Sequence, residues 1–568
     1  MSHKIKMRAA DAFLVGLKQL GIDYIFGNIG TEYPPVVESL ARFATKDEIG
    51  KTVPIPYAIP HENVTGHMGV GYYLSTGKTQ CVMVHTGVGT ANAMVSMINA
   101  NRAQVPMIVV AGLAPGTENY DRTSKPGFIH WAQQMYDQGA MVREIVKWDY
   151  VITSDNVGEL DLILKRAYTM ANSNPKGVVY ITFDPTALER DIEFPKILIP
   201  EVTPSKAFPD QTTIAEAATI LASAKKPLVI TGGTTKDPKI MEVLKKFAEA
   251  HSIGVAQHKP RTMHFPFNHE LNVCVADPSF IVNEADCLLV LETDVPYIPV
   301  KGGISEDCKL IQIAPDTSFQ RYPRNGFPYQ LKITADVAEG VVALDGAMPK
   351  TSDSLKKERK DWISDLKERN VTKRLSQIEG IESGSKITYP WISHCIAELC
   401  KEDDDIILVR EFSLDLDWMQ NSDTQSYFGE PNAGGLGWGA GSTLGVALGQ
   451  PDKVALLATG DGCYYFGVPA AAHSVSRTRD IPYITVIYNN GHWGTVAMFT
   501  DNWYPEMKGT NNHPMTDLGP YHDFENIVTA FGGVGIKVEK PNELLDALRR
   551  AVKEVKENRK QVVLNVIV

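Results

Sequence analysis

Short unbroken runs of apolar residues recur along the chain, separated by stretches in which apolar residues fall three and four positions apart. A parallel strand covered on both faces needs a continuous run of β-branched and aliphatic residues, whereas the wider spacing marks an amphipathic helix. In the first third, helical spacing over 9–20 precedes runs at 24–26, 80–84 and 107–111. The middle repeats the pattern at 228–230, 287–291 and 309–313. Near the C-terminus, runs at 454–459 and 483–488 flank a helical stretch at 469–479. Alternation of this kind predicts an α/β fold of open parallel sheets wrapped by helices. A Pro- and Lys-rich stretch at 194–209 and a charged helical stretch at 354–369, which lacks an apolar run, serve as connectors. The expected domains are 1–190, 205–350 and 375–568.

The length of 568 residues exceeds what one hydrophobic core supports, so several domains fit. Hydrophobic residues make up 43% and charged residues 22%, the balance of a globular protein with a large core. A net charge of -11 argues against a nucleic-acid or anionic-membrane surface and favours a small-molecule partner. The first 21 residues lack a signal-peptide core, and no stretch approaches a membrane span, so a cytoplasmic protein is expected. Seven widely spaced cysteines, with no C-x-x-C pair, point to free thiols.

Two of the predicted strands end in turn-like signals, Gly460-Asp461-Gly462 and Asn489-Asn490-Gly491. Neighbouring parallel strands open their carboxyl ends on one crevice, which puts Asp461 and Asn490 before the same ligand. Two hard oxygen donors there suit Mg²⁺ holding a diphosphate. Read alone, Asp-Gly and Asn-Gly are simply favoured turn dipeptides. With the strands and helix between them, the pair resembles the thiamine diphosphate signature of the 2-oxo-acid decarboxylase and acetolactate synthase superfamily.

That resemblance implies three doubly wound open-sheet domains: pyrimidine-binding, central and diphosphate-binding. It makes Asp461, Asn490 and the His492 carbonyl the Mg²⁺ ligands, with Gly462, Cys463 and Ser413 beside the diphosphate. Glu62, in Pro60-His61-Glu62-Asn63, matches the glutamate that pushes the cofactor's pyrimidine towards its reactive tautomer. Burial would favour its protonated, donating form; the alternative is a solvated first-turn glutamate. The glycine-rich run 433–441 fails the G-x-G-x-x-G spacing of a dinucleotide loop, which removes an NAD-binding dehydrogenase. It resembles instead the segment in which the Gly434 carbonyl meets the cofactor's amino group and Leu436 props its bent shape. In the family the glutamate and the diphosphate site come from different subunits, which implies a homodimer or a dimer of dimers.

The substrate side is carried by other residues. His85 stands at a strand end where acetolactate synthases have a serine-glycine pair and benzoylformate decarboxylase-like enzymes have a catalytic histidine, a group suited to proton transfer near neutrality. Thr31, in Gly27-Asn28-Ile29-Gly30-Thr31-Glu32, matches a substrate-contacting serine or else caps the helix predicted at 33–43. Asn28, His130, Gln138, Tyr464 and Trp493 are further pocket candidates, with Trp131 and Gln134 beside them. The implied activity is decarboxylation of a 2-oxo acid, the remaining fragment leaving as an aldehyde or joining a second carbonyl. An acetolactate synthase-type carboligase and a flavin-dependent oxidase are the alternatives, although the central segment carries no FAD-binding signature. A catalytically silent cofactor-binding subunit is the non-enzyme alternative; retention of Glu62 speaks against it.

Overall fold

The computed structural model describes residues 4–118, 124–198, 204–412, 414–510 and 512–568. The chain gathers into two compact units. One holds Met1–Ser205, Pro431–Pro451 and Tyr465–Ile481; the other holds Lys206–Glu430, Asp452–Tyr464 and Pro482–Val568.

The first unit is built on a six-stranded parallel sheet in the spatial order Ile55–Ala58, Tyr24–Asn28, Gln80–Val84, Met107–Gly112, Val178–Phe183, Trp148–Ile152. The inner strands Gln80–Val84, Met107–Gly112 and Val178–Phe183 are buried throughout, because helices cover both faces. From Tyr24–Asn28 the order steps outward to Ile55–Ala58 on one side and to Gln80–Val84 on the other. A switch of this kind opens a crevice at the carboxyl ends, where α/β proteins bind ligands. Helix Glu62–Thr76 is buried along almost its whole length and packs on helix Trp438–Gly449. Glycines permit the approach: a Cβ at Gly71 would stand 1.9 Å from the Ser442 carbonyl oxygen, and one at Gly445 2.2 Å from that of Met68.

The second unit contains two more six-stranded parallel sheets. The central one runs Asn272–Cys274, Gly254–Gln257, Pro227–Thr231, Cys287–Leu291, Lys309–Ala314, Leu331–Thr334. The other runs Tyr427–Gly429, Ile406–Glu411, Val454–Gly460, Ile484–Asn489, Val562–Ile567, Val534–Val538, and its switch lies between Ile406–Glu411 and Val454–Gly460. The helix predicted at 469–479 forms as Pro469–Arg479 and belongs to the first unit.

Two expectations are corrected here. The charged stretch at 354–369 is not a bare connector. It belongs to helix Asp353–Ile378, whose Trp362, Ile363 and Leu366 enter the core of the central sheet. Its fully buried Arg359 donates to the carbonyls of Leu221, Ala224 and His251, satisfying the orphaned ends of two helices. The stretch at 194–209 begins inside a strand: Asp191–Pro195 pairs antiparallel with Lys4–Arg8. Among the described residues, no helix is long and apolar enough to cross a membrane.

Candidate functional site

In the first unit, several of the candidate residues gather where the strand order switches. Asn28 ends its strand opposite Val84, so the loop after Asn28 and His85, which follows Val84, emerge side by side. Their meeting point is a close pair, with His85 Nδ1 2.7 Å from Glu32 Oε2. Glu32 is only 2% exposed, and two glycines make room for the pair. A Cβ at Gly112 would lie 1.8 Å from Glu32 Cγ, and one at Gly30 1.9 Å from His85 Nδ1. The hydrogen bond to Glu32 outweighs burial and raises the His85 pKa above its usual 6.5, with the Glu62 charge adding to it. At the other ring nitrogen, His85 Nε2 lies 3.0 Å from Gln133 Nε2.

Glu62 is the first residue of its helix and is 8% exposed. The His61 side chain caps that helix by accepting from the Asn63 N–H at 3.1 Å. Asn92 donates to Glu62 Oε2 at 3.2 Å. A Cβ at Gly89 would meet His85 Cβ at 3.0 Å and Glu62 Oε1 at 3.2 Å, so the histidine and the carboxylate flank one turn of helix Gly87–Arg102.

Thr31 does not cap the following helix, which spans Pro34–Thr45 with Tyr33 at the cap position. Its hydroxyl lies 3.1 Å from the buried His130 Nε2. Gln138, expected in the pocket, is instead tied into the sheet, donating to the Gly112 carbonyl at 3.1 Å and to the Tyr180 hydroxyl at 2.8 Å. Gln134 accepts from Lys125 at 2.5 Å, and that ammonium stands over the ring of Trp131. Gly434 takes a positive φ of 63° and is exposed, and Leu436 is half-buried. Asn99 clamps their loop through both groups of Gly435, donating to its carbonyl at 2.8 Å and accepting its N–H at 3.2 Å.

The second unit carries Asp461 and Asn490. Asp461 follows strand Val454–Gly460 and is 4% exposed, and Asn490 follows strand Ile484–Asn489 beside it. Asp461 Oδ1 accepts from the Gly462 N–H and Oδ2 from the Gly491 N–H, each at 2.8 Å. Burial lifts its carboxyl above the usual carboxylate range, with the backbone donors partly offsetting. Asn490 Oδ1 accepts from the His492 N–H at 2.9 Å while its amide donates to the Tyr389 hydroxyl at 2.9 Å. The His492 carbonyl accepts from Gly494 at 2.8 Å.

Among the described residues no group of three His, Cys, Asp or Glu could hold a metal. The expected set is different in kind: one buried carboxylate, one amide oxygen and one main-chain carbonyl. Each oxygen keeps a lone pair beyond the bond it accepts, which fits a hard, water-retaining cation such as Mg²⁺. Cys463 is buried and burial pushes its thiol up, away from the reactive thiolate form. Tyr464 is a core residue, packed edge-on against Phe524 in a cluster with Ile487, Val528 and Val563. Trp493 is half-buried, and its main-chain N–H donates to the Thr516 carbonyl. Ser413 lies outside the described residues.

Glu32, Gln133 and Asn92 were missed from sequence. Only the position of Glu32 beside Thr31, in a loop already singled out, gave a signal.

Three family models match the chain. They are described as thiamine pyrophosphate enzyme N-terminal TPP binding domain (residues 7–141), central domain (214–344) and C-terminal TPP binding domain (415–566). Among curated relatives, the acetolactate synthase large subunit of Buchnera aphidicola subsp. Schizaphis graminum is 25% identical, covering 97% of this chain and 93% of the relative. That of Corynebacterium glutamicum is also 25% identical, covering 99% and 87%. Among solved structures, a thiamine diphosphate-dependent 4-hydroxybenzoylformate decarboxylase of Rhodococcus jostii RHA1 superposes with a TM-score of 0.76 at 21% identity, covering 99% of both chains. A benzoylformate decarboxylase of Polynucleobacter necessarius does so with a TM-score of 0.75 at 20% identity, with the same coverage.

Proposed function

The chain belongs to the thiamine diphosphate-dependent 2-oxo-acid decarboxylase and acetolactate synthase superfamily, and from this premise we propose that it decarboxylates a 2-oxo acid and releases an aldehyde. In the overall change the carboxylate leaves as carbon dioxide and a proton takes its place. When bound, thiamine diphosphate would supply the sink for the electron pair left behind as carbon dioxide departs. Glu62, held by Asn92, would bond the pyrimidine ring, the Gly434 carbonyl would accept from the cofactor's amino group, and Leu436 would pack against the cofactor. Asp461, Asn490 and the His492 carbonyl would hold Mg²⁺, with the main chain of Gly462 and Cys463 beside the diphosphate. Asn28, Thr31, His130 and Trp493 are the residues proposed to meet the substrate.

The observation that carries this reading is His85 flanking the same helical turn as Glu62. A histidine there gives the site an acid–base group of suitable strength to deliver the proton that completes an aldehyde. Ligation to a second carbonyl is the second reading, favoured by the near full-length match to acetolactate synthase large subunits. By analogy with the family, the working unit is a homodimer or a dimer of dimers.

Incubation of the protein, loaded with thiamine diphosphate and Mg²⁺, with a panel of 2-oxo acids, with and without an acceptor aldehyde, separates the two readings by NMR of the products. Aldehyde as the main product in both conditions is expected; acyloin or acetohydroxy acid as the main product would favour ligation. Glu62→Gln should lower turnover by about a hundredfold or more with the fold intact by circular dichroism. Undiminished turnover in that variant would overturn the assignment.

A further inference from the structure

The His85–Glu32–Gln133 triplet contains more order than a single acid–base group needs. Glu32 is a carboxylate taken almost completely out of water, with Oε2 on His85 Nδ1 and Oε1 buried without a hydrogen-bond partner. A buried carboxylate with one oxygen unpaired is costly, so a packing role alone does not account for it. The lack of side chains at Gly30 and Gly112 is what lets the two groups meet. On the far side of the ring, Gln133 turns its amide nitrogen to His85 Nε2 and leaves its Oε1 buried and unpaired.

We infer that Glu32 is a positioning residue that anchors His85 at Nδ1 so that Nε2 is the atom that exchanges protons with the substrate, and that Gln133 is the seat that Nε2 occupies between turnovers. This inference rests on the reading that His85 acts in the proposed reaction. With Nδ1–H donating to Glu32, a neutral ring can only accept at Nε2, and the Gln133 amide N–H₂ serves it. Once the ring carries its second proton, Nε2–H needs an acceptor, and a half-turn of the same amide presents the unpaired Oε1. Both protonation states are therefore accommodated without moving the imidazole. A substrate oxygen or carbon that displaces Gln133 meets Nε2 on a ring already fixed in plane.

Among the described residues, the titratable groups that bear on His85 are Glu32 from the loop after Asn28, Glu62 at the head of its helix, and His130, which bonds Thr31 next to Glu32. Both carboxylates favour the protonated ring, in line with the raised His85 pKa. A proton donor of this kind is loaded below its pKa, so the proton-delivering step falls off as pH rises through that value.

The test combines two readouts on the protein loaded with thiamine diphosphate and Mg²⁺. In ¹³C-histidine-labelled protein, with the His85 signal assigned through His85→Asn, the ring should titrate above the ordinary histidine value, and Glu32→Gln should lower its midpoint by about one unit or more. In kinetics, Glu32→Gln should reduce kcat about ten- to a hundredfold with little change in KM, and its alkaline limb should move down by the same interval. Glu32→Asp, which keeps the charge, should recover part of both, and it carries the test if the glutamine variant does not fold. An unchanged midpoint would overturn the role of Glu32. A midpoint that moves while the pH–rate profile stays in place would overturn the role of His85 itself, and with it the premise.

Discussion

At the scale of single residues, burial can hold a polar group in one protonation state. His67 is the plainest case: fully buried in helix Glu62–Thr76, its pKa is lowered to about 3 by desolvation. As a neutral ring its Nε2 accepts from Asn99, whose amide also holds the Gly435 carbonyl in the loop that contains Gly434. Since the unfolded chain takes up a proton near 6.5 and the folded ring does not, this contribution is complete above pH 6.5 and is lost as pH falls towards 3. Stability at pH 5 should be about 2 kcal/mol lower than at pH 7 on account of this one ring. Calorimetry checks it: the fall in Tm between pH 7 and pH 5 should be smaller in His67→Asn than in the parent. An equal fall would place the acid sensitivity elsewhere. Nothing in the sequence around His67 announces this role, because its partner Asn99 lies on another helix and meets it only after folding.

At the scale of elements, the sequence was most legible where one local pattern decides the structure. Strands such as Gln80–Val84 and Cys287–Leu291 emerge where expected because burial on both faces demands continuous apolar runs. The ribbon Lys4–Arg8 with Asp191–Pro195 was not legible, since its outward positions are charged and its pairing spans most of a domain. Helix Asp353–Ile378 was legible as a helix but not as part of the core, because three apolar residues and one buried arginine do the packing of a much longer stripe. Tyr464 shows the limit for site residues: adjacency to Asp461 in sequence does not aim a side chain at the same cavity. The packing of helix Glu62–Thr76 on Trp438–Gly449 yields a prediction of its own. Gly445→Ala drives a methyl group to 2.2 Å from the Met68 carbonyl, a contact only backbone movement relieves. The expected cost is about 1–3 kcal/mol, with a loss of activity because the displaced helix begins at Glu62. Gly346→Ala, in helix Val337–Ala347 where a Cβ meets nothing within 4 Å, should be neutral or slightly stabilising. Equal melting temperatures for the two variants would mean that the glycine contact is soft.

At the scale of the whole molecule, the proposed homodimer can be tested through the residues proposed to hold the cofactor. Glu62 and the Gly434 loop belong to one compact unit, and Asp461 and Asn490 belong to the other. If, as proposed, each complete site draws its glutamate from one subunit and its metal ligands from a second, two inactive variants should complement. Glu62→Gln leaves Asp461 intact, and Asp461→Ala leaves Glu62 intact. In a dimer formed from one chain of each, one site would receive both mutations and the other neither. Random pairing of equal amounts makes half of the dimers mixed, and each mixed dimer has one live site of two. Refolding or co-expressing the pair should thus restore about a quarter of the parent's activity, from parents that have almost none alone. Sites assembled within one chain would yield no recovery at any mixing ratio, because every site would then carry one of the two mutations. The Mg²⁺ dependence of the recovered activity gives an internal check. Only sites with intact Asp461 contribute to it, so it should follow the same Mg²⁺ dependence as the parent, and a weakened one would point to a metal site repaired by other groups rather than to shared subunits.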